Sequence, residues 1–137
     1  MRHLNQPSRG EDNHHEILDR VRVYAQDETP PTIAGMSRVT ELNGVHYNDI
    51  VNVLGEPTYP HPSGDEKVQK EWTMLYTDED GNEVLFYLYD YKTFSEWETT
   101  QYLTDWSVGG LRDDSSVLNE IVEAMKQVMK NADHETA

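Results

Sequence analysis

The chain has 137 residues, 26 of them acidic and 11 basic, and its formal charge is −15 at pH 7. So negative a surface repels nucleic acids and anionic membranes and favours basic partners. The length fits one domain, and the absence of cysteine excludes disulfides, thiolate nucleophiles and cysteine-ligated zinc.

The N-terminal part of the chain predicts a tail followed by a helix. Residues 1–10 are polar and contain Pro7 and Gly10, so we expect a flexible tail. Between residues 13 and 26, apolar side chains recur with a helical period, which predicts one helix with a buried stripe. Its apolar positions are Ile17, Leu18, Val21, Tyr24 and Ala25.

A short strand and a short helix follow. Residues 38–42 read as a strand closed by an Asn-Gly turn. In the helix after it, His46 is the expected N-cap, and Gly55 and Pro57 stop the helix at its other end. The residues that share its apolar face are Tyr47, Ile50, Val51 and Leu54.

Two strands joined by an Asp-Gly turn at residues 78–82 form the clearest hairpin. The first strand alternates, and its expected dry face carries Val68, Trp72, Met74 and Tyr76. The return strand, residues 84–91, is apolar or aromatic on both faces, so it is either central or presents an aromatic face to a partner. One face carries Val84, Phe86 and Leu88, and the other carries Leu85, Tyr87, Tyr89 and Tyr91.

The remaining elements complete an α+β fold. Residues 93–100 predict a polar connection or short helical turn, and residues 102–108 a strand ended by Gly109-Gly110. An apolar stripe from Val117 to Met129 predicts the last helix, and residues 132–137 a C-terminal tail. We expect a single domain over residues 11–131, an antiparallel sheet of about four strands with helices packed on one face.

No motif predicts a metal or cofactor site. His14 and His15 are adjacent, and neighbouring side chains on a helix point about 100° apart, so they do not easily share one ion. The tip at Asp78 lacks the glycine and glutamate spacing of an EF-hand loop. We therefore predict no bound metal and no cofactor.

Catalytic signatures are equally sparse. The sequence has no phosphate-binding glycine loop and no G-x-S-x-G elbow around a serine. We predict a protein that is not an enzyme, with one alternative left open. A carboxylate pair for glycoside hydrolysis could be drawn from Asp90, Glu96, Glu98 and Asp105.

An aromatic and acidic stretch is the strongest candidate for a functional site. Eight of the thirteen aromatic residues lie between residues 85 and 106, interleaved with carboxylates. Tyrosine and tryptophan anchor protein interfaces, and acidic neighbours select a basic partner. The predicted partner-binding residues are Asp78, Glu79, Asp80, Tyr87, Tyr89, Tyr91, Glu96, Trp97, Glu98, Asp105, Asp113 and Asp114.

Two resemblances extend this interpretation. The helix end Val53-Leu54-Gly55-Glu56-Pro57-Thr58, followed by a loop and the Trp72 strand, resembles the helix-to-sheet entry of the BamE-like and beta-lactamase-inhibitor-like fold. Those envelope proteins carry a signal peptide and a lipobox cysteine, which this sequence does not have. The envelope role is therefore not expected here.

The second resemblance is to small acidic accessory proteins of tailed bacteriophages. It rests on Gly55-Glu56-Pro57, Lys67-Val68-x-x-Glu71-Trp72, Tyr89-Asp90-Tyr91-Lys92 and Trp106-x-Val108-Gly109-Gly110. Such proteins often inhibit host defence systems, including CRISPR effectors and restriction enzymes, some of them by imitating DNA. The resemblance implies an anti-CRISPR or anti-restriction role, and it assigns no catalytic residue.

The leading hypothesis is a non-enzymatic, phage-encoded interaction protein that occupies the basic surface of a host nuclease or nucleic-acid-binding effector. It would act as a DNA mimic without binding nucleic acid or membrane itself, and a homodimer is left open. We expect it in the cytoplasm, since no apolar run approaches the roughly 20 residues of a membrane span.

Three alternatives stay open beside this hypothesis. One is a sponge that sequesters a signalling nucleotide with cationic side chains. The others are a virion or assembly component and a salt-adapted housekeeping domain. The cations available to a sponge are Lys67, Lys70, Lys92 and Arg112.

Overall fold

The computed structural model of the chain describes residues 9–63, 67–91 and 95–136. Within these ranges it contains four helices, five strands and one short 3-10 turn at residues 112–114. The elements in chain order are α1 (Arg9–Asp19), β1 (Val21–Val23), β2 (Ser37–Asn43), α2 (Tyr47–Leu54), β3 (Val68–Thr77), β4 (Glu83–Tyr91), α3 (Glu96–Gln101), β5 (Asp105–Gly110) and α4 (Ser115–Thr136).

The five strands form one sheet in the order β1-β3-β4-β5-β2, and every neighbouring pair is antiparallel. The predicted α+β class is confirmed, with a fifth strand added at one edge. Strand β4 occupies the centre of the sheet. Its central position explains why its sequence is apolar or aromatic on both faces.

Helices α1, α2 and α4 pack against one face of the sheet, as predicted, and the core lies between these layers. Alternate residues of the strands point into this core, and one stripe of α4 meets them. The buried residues that α4 contributes include Leu118, Ile121, Met125 and Met129. The strands contribute Leu42, Trp72, Met74, Phe86, Leu88, Trp106 and Val108.

The two glycines are the last residues of β5, so the strand ends at this pair, as predicted, and both glycines still pair with β2. A Cβ atom on Gly110 would come within 2.7 Å of Leu118 Cδ1, closer than side chains pack. Gly110 therefore allows α4 to approach the sheet directly.

The first predicted helix is wrong in its second half. Helix α1 ends at Asp19, and Val21 and Val23 then pair with Tyr76 and Met74 of β3. Valine is β-branched and favours strands, and β3 has an outer edge that needs a hydrogen-bonding partner. The free edge of β3 thus overrides the helical period of the sequence.

The predicted tails also differ in part from the structure. Arg9 and Gly10 belong to α1, while residues 1–8 lie outside the described residues. Helix α4 runs to Thr136 and so includes most of the segment that was expected to be a C-terminal tail.

A β-bulge near the start of β3 changes the face on which its first residue lies. The pairing register with β4 shifts between Val68 and Glu71, so one extra residue is inserted there. Val68 consequently lines the same surface as Glu71. The prediction that Val68 shares a sheet face with Trp72 is therefore wrong.

The carboxylate of Asp90 holds this bulge in place. Asp90 is fully buried, and its Oδ1 accepts hydrogen bonds from the backbone N–H groups of Gln69 at 2.8 Å and Lys70 at 2.9 Å. Its Oδ2 accepts a hydrogen bond from the Thr99 hydroxyl of α3. A bulge interrupts the strand ladder, and the Asp90 side chain supplies acceptors for the buried donors.

We expect Asp90→Ala to lower the free energy of unfolding by about 2–4 kcal/mol, since each buried donor left without a partner costs about 1–3 kcal/mol. Urea unfolding at pH 7 measures this loss. Asp105→Ala removes an exposed carboxylate from β5, so we expect a change within about 0.5 kcal/mol for this control. Equal losses in the two variants would contradict the role given to Asp90.

Candidate functional site

The structure distributes the predicted partner-binding residues over several places and does not gather them into one patch. The central group lies on the sheet face opposite the helices, and the acidic groups lie at the two ends of the strands. This central group consists of three residues of β4, Tyr87, Tyr89 and Tyr91. Asp78, Glu79 and Asp80 form the β3–β4 turn, and Asp113 and Asp114 precede α4 at the same end. Glu96, Trp97, Glu98 and Asp105 lie at the opposite end.

At the hairpin tip, Asp78 has a structural role. Its carboxylate accepts hydrogen bonds from the backbone N–H groups of Asn82 at 2.8 Å and Asp80 at 2.9 Å. These bonds lower the pKa of the Asp78 carboxyl, and the bond from the Asn82 backbone has the largest effect. The hairpin turn expected at this tip is confirmed.

The open groove beside this tip is strongly acidic. Besides the tip residues, it is lined by Glu16, Glu120 and Glu123, with Arg20 as a cation among them. His14 also lines it, but no group of His, Cys, Asp or Glu side chains in the described part of the chain is arranged to hold a metal ion.

At the opposite end, Glu96 is occupied by an ion pair. The ammonium of Lys70 is buried and donates to Glu96 Oε2 and to the Pro60 carbonyl, each at 2.7 Å. The Lys70 hydrogen bond and charge lower the pKa of the Glu96 carboxyl. Since Asp90 is also engaged, two of the four carboxylates considered for glycoside hydrolysis hold the structure together.

Trp97 and Tyr102 form an exposed aromatic pair at this end. Their ring centroids lie 5.0 Å apart in an edge-to-face arrangement, and the two residues are 63% and 64% exposed. Tyr102 ends α3 and does not belong to β5, which corrects the predicted strand over residues 102–108.

The helix-free face of the sheet carries a groove that we call the tyrosine groove, defined by Tyr59, Glu71, Tyr87 and Tyr89. Its main part has a volume of about 470 Å³, and a smaller part of about 190 Å³ continues past Tyr89. The loops before β2 and before β3 form its walls. They contribute Pro30, Pro31, Pro60 and Pro62.

Gly109 of β5 gives the two central rings their position. A Cβ atom on Gly109 would lie 3.3 Å from Tyr89 Cε1 and 3.5 Å from Tyr87 Cδ2. The rings therefore lie close to the β5 backbone where this residue has no side chain. Tyr91 beside them is 49% exposed, and Tyr59 on the wall is 47% exposed.

Glu71 is a largely buried carboxylate at the floor of the groove. The Thr73 hydroxyl donates a hydrogen bond to its Oε2 at 3.2 Å, and none of the ion pairs among the described residues includes it. Burial raises the pKa of the Glu71 carboxyl, the Thr73 hydrogen bond opposes this, and the charge of Asp90 adds to it.

The negative charge of Glu71 reaches both central phenols. Burial is the main cause that raises the pKa of Tyr87 and of Tyr89, and the charge of Glu71 raises it further. Arg38 on β2 acts in the opposite direction on Tyr89, but its guanidinium donates to Glu41 Oε2 at 2.9 Å and does not line the groove.

Sequence reasoning missed Glu71 and Tyr59. The alternation of β3 placed Glu71 on the face away from Trp72, which is correct, but that face was expected to be merely solvated. Tyr59 lies in a loop, and the prolines of that loop predicted irregular structure but no role for Tyr59. The pairing of Tyr59 with Glu71, through backbone bonds of 2.9 and 3.0 Å, depends on long-range contact that no local pattern reveals.

The described cations considered for a nucleotide sponge do not converge. Lys67 lies directly before β3, and Lys70 is buried and paired with Glu96. Arg112, in contrast, lies beyond the far end of β5. Lys92 lies outside the described residues.

Comparison of the chain with protein-family models, curated proteins and solved structures finds no match. The two resemblances therefore stay predictions. No helix in the described ranges has the length and apolar character needed to cross a membrane.

The raised pKa of Glu71 predicts a pH-dependent stability difference. The folded state holds this proton more tightly than the unfolded state, so stability falls as pH rises from the unfolded-state pKa through the folded-state pKa. The glutamine of the Glu71→Gln variant cannot ionise, so the variant does not lose this stability as the pH rises. We expect it to have a higher free energy of unfolding than the wild type at pH 7, with the gap closing toward about pH 4.

Urea unfolding at several pH values between these limits checks the prediction. Glu79→Gln makes the same charge change at an exposed position, and we expect no comparable pH-dependent gap. A Glu71→Gln curve parallel to that of the wild type would contradict the burial effect.

Proposed function

We propose that this chain is a non-enzymatic interaction protein that binds a basic surface of another protein through the tyrosine groove. The observation that carries the proposal is the helix-free sheet face, where phenol rings surround a carboxylate that has no ion-pair partner among the described residues. A cationic group from outside would neutralise that carboxylate.

The rings of the groove have the character of interface anchors. Tyrosine offers a large contact area with little side-chain entropy to lose, together with a hydroxyl that can hydrogen-bond to a partner. Tyr59 and Tyr91 are about half exposed, and Tyr87 and Tyr89 are partly exposed between them. The prolines of the walls add rigid apolar surface, so little ordering is needed on binding.

Acidic side chains at both ends of the sheet support the choice of a basic partner. Glu79 and Asp80 are exposed at the hairpin tip, and Glu98 and Asp105 are exposed at the other end. Their combined field, on a chain of charge −15, accelerates the encounter with a positively charged surface and disfavours acidic partners.

Covering a cationic groove would also exclude nucleic acid from it. Restriction and CRISPR nucleases hold nucleic acid in such grooves, so inhibition of a host defence nuclease is one form of the proposed function. The resemblance to small acidic phage proteins supports this form by analogy. The sponge alternative has no comparable support, because the described cations do not converge.

Displacement of DNA from a basic protein tests the proposal. A short fluorescent duplex is bound to protamine, and the chain is added while fluorescence anisotropy is recorded. We expect displacement that weakens steeply between about 0.15 M and 1 M salt, where the Debye length falls from about 8 to 3 Å. Displacement unchanged at about 1 M salt would contradict the proposal.

Matched variants separate the groove from bulk charge. The double variant Tyr59→Ala/Tyr87→Ala keeps the net charge and should need about tenfold more protein for half-displacement, a loss typical of removing anchors. The control Trp97→Ala/Tyr102→Ala removes the exposed pair at the sheet end and should displace as the wild type does. Identical curves for all three proteins would show that the groove is not the site.

A further inference from the structure

We infer that the tyrosine groove receives an arginine side chain of the partner, with its guanidinium between the Glu71 carboxylate and the phenol rings. This inference rests on the proposed function and specifies the chemical group that the groove recognises. It follows from the hydrogen-bonding groups that the groove offers and from the shape of the space between them.

The groove combines a carboxylate, which can only accept, with hydroxyls and the His61 imidazole, which can both donate and accept. Glu71 has two carboxylate oxygens and a single hydrogen bond, from Thr73, within the described chain. The hydroxyls of Tyr87 and Tyr89 have no hydrogen bond to any residue that the structure describes. The prolines of the walls have no N–H to donate. A ligand that pairs with the Glu71 carboxylate must bring donors and a positive charge, and the phenol oxygens can accept further hydrogen bonds from it.

A guanidinium group fits the Glu71 carboxylate and the surrounding phenol rings better than an ammonium group does. It presents five N–H donors in a planar fork that matches a carboxylate, and it stacks on aromatic faces. Ammonium is more strongly hydrated, so its transfer into a largely buried site costs more. Tyr59 and Tyr87 both line the main groove, so a planar cation bound there has aromatic rings beside it.

The space is sufficient for a side chain with its adjoining backbone. The main groove of about 470 Å³ lies within the range of about 300–1,000 Å³ that is usual for ligand sites. It remains open along Val68 toward Tyr89 and Tyr91. An arginine can therefore enter from an extended segment that lies along the helix-free face.

Short peptides test the inference directly. Acetyl-Ala-Arg-Ala-amide is titrated into the ¹⁵N-labelled chain, alongside the lysine peptide and the citrulline peptide, which keeps the shape of arginine without its charge. We expect the arginine peptide to shift the amide signals of Glu71 and Tyr87. The lysine peptide should bind about tenfold more weakly, and the citrulline peptide should not bind.

Two variants assign the contact. Glu71→Gln should weaken binding of the arginine peptide by about tenfold or more, while Glu120→Gln, with the same charge change at an exposed position of α4, should leave it unchanged. Tyr87→Phe keeps the ring and removes the oxygen, so it should weaken binding less than Glu71→Gln does. Equal shifts with arginine and citrulline, or equal losses in the two glutamate variants, would overturn the inference.

This outcome is distinguishable from failure of the proposed function. If the chain displaces DNA from protamine through its tyrosines but prefers no arginine peptide, the proposed function stands and this inference falls. If the arginine peptide binds at Glu71 but no groove variant affects displacement, the site exists and the proposed function is wrong.

Discussion

Two buried indole rings join the helical layer to the sheet, and the rest of the structure is arranged around them. Trp72 of β3 donates its indole N–H to the Gly55 carbonyl at 2.9 Å, and Trp106 of β5 donates to the Val45 carbonyl at 3.0 Å. These carbonyls lie at the two ends of α2, so the helix is held at both. The rings meet edge to face with centroids 5.7 Å apart. Because a buried indole N–H needs an acceptor, the two tryptophans fix the position of α2 on this face.

The same arrangement leaves the phenols on the other face. Residues alternate along β4, so Phe86 and Leu88 fill the core while Tyr87 and Tyr89 point to the side that carries no helix. The bulge held by Asp90 then sets the register, and Glu71 comes to lie opposite Tyr89. The buried carboxylate of Asp90, on the helix side of the sheet, thus determines where the Glu71 carboxylate lies in the groove. The groove depends on the packing of the whole sheet and does not arise from a local motif.

The elements set by local pattern were predictable from the sequence. Helix α2, the β3–β4 hairpin and the onset of α4 follow from short-range period, caps and turn residues, and the structure confirms them. Strand β1 was not predictable in this way, because its three residues become a strand only where they meet the edge of β3. For the site, composition predicted an acidic chain with tyrosine anchors, but the positions of the charges depend on the fold. The sequence also could not show that two proline-containing loops lie along the same sheet face. These loops form the walls that make Glu71 part of a groove.

The contrast between two glutamates in the described chain bears on how the groove should be interpreted. Where a glutamate serves the fold, as Glu96 does, a buried lysine meets it and lowers its pKa. Glu71 is more deeply buried, its pKa is raised by that burial, and none of the ion pairs among the described residues neutralises it. An amide at this position would satisfy the Thr73 hydrogen bond without the cost of burying a charge. A feature that lowers the stability of the isolated chain is typical of a functional site, since the compensating interaction is made only with the partner. The uncompensated charge of Glu71, more than the total charge of the chain, is therefore the feature on which the proposed binding of a basic protein at the helix-free face rests.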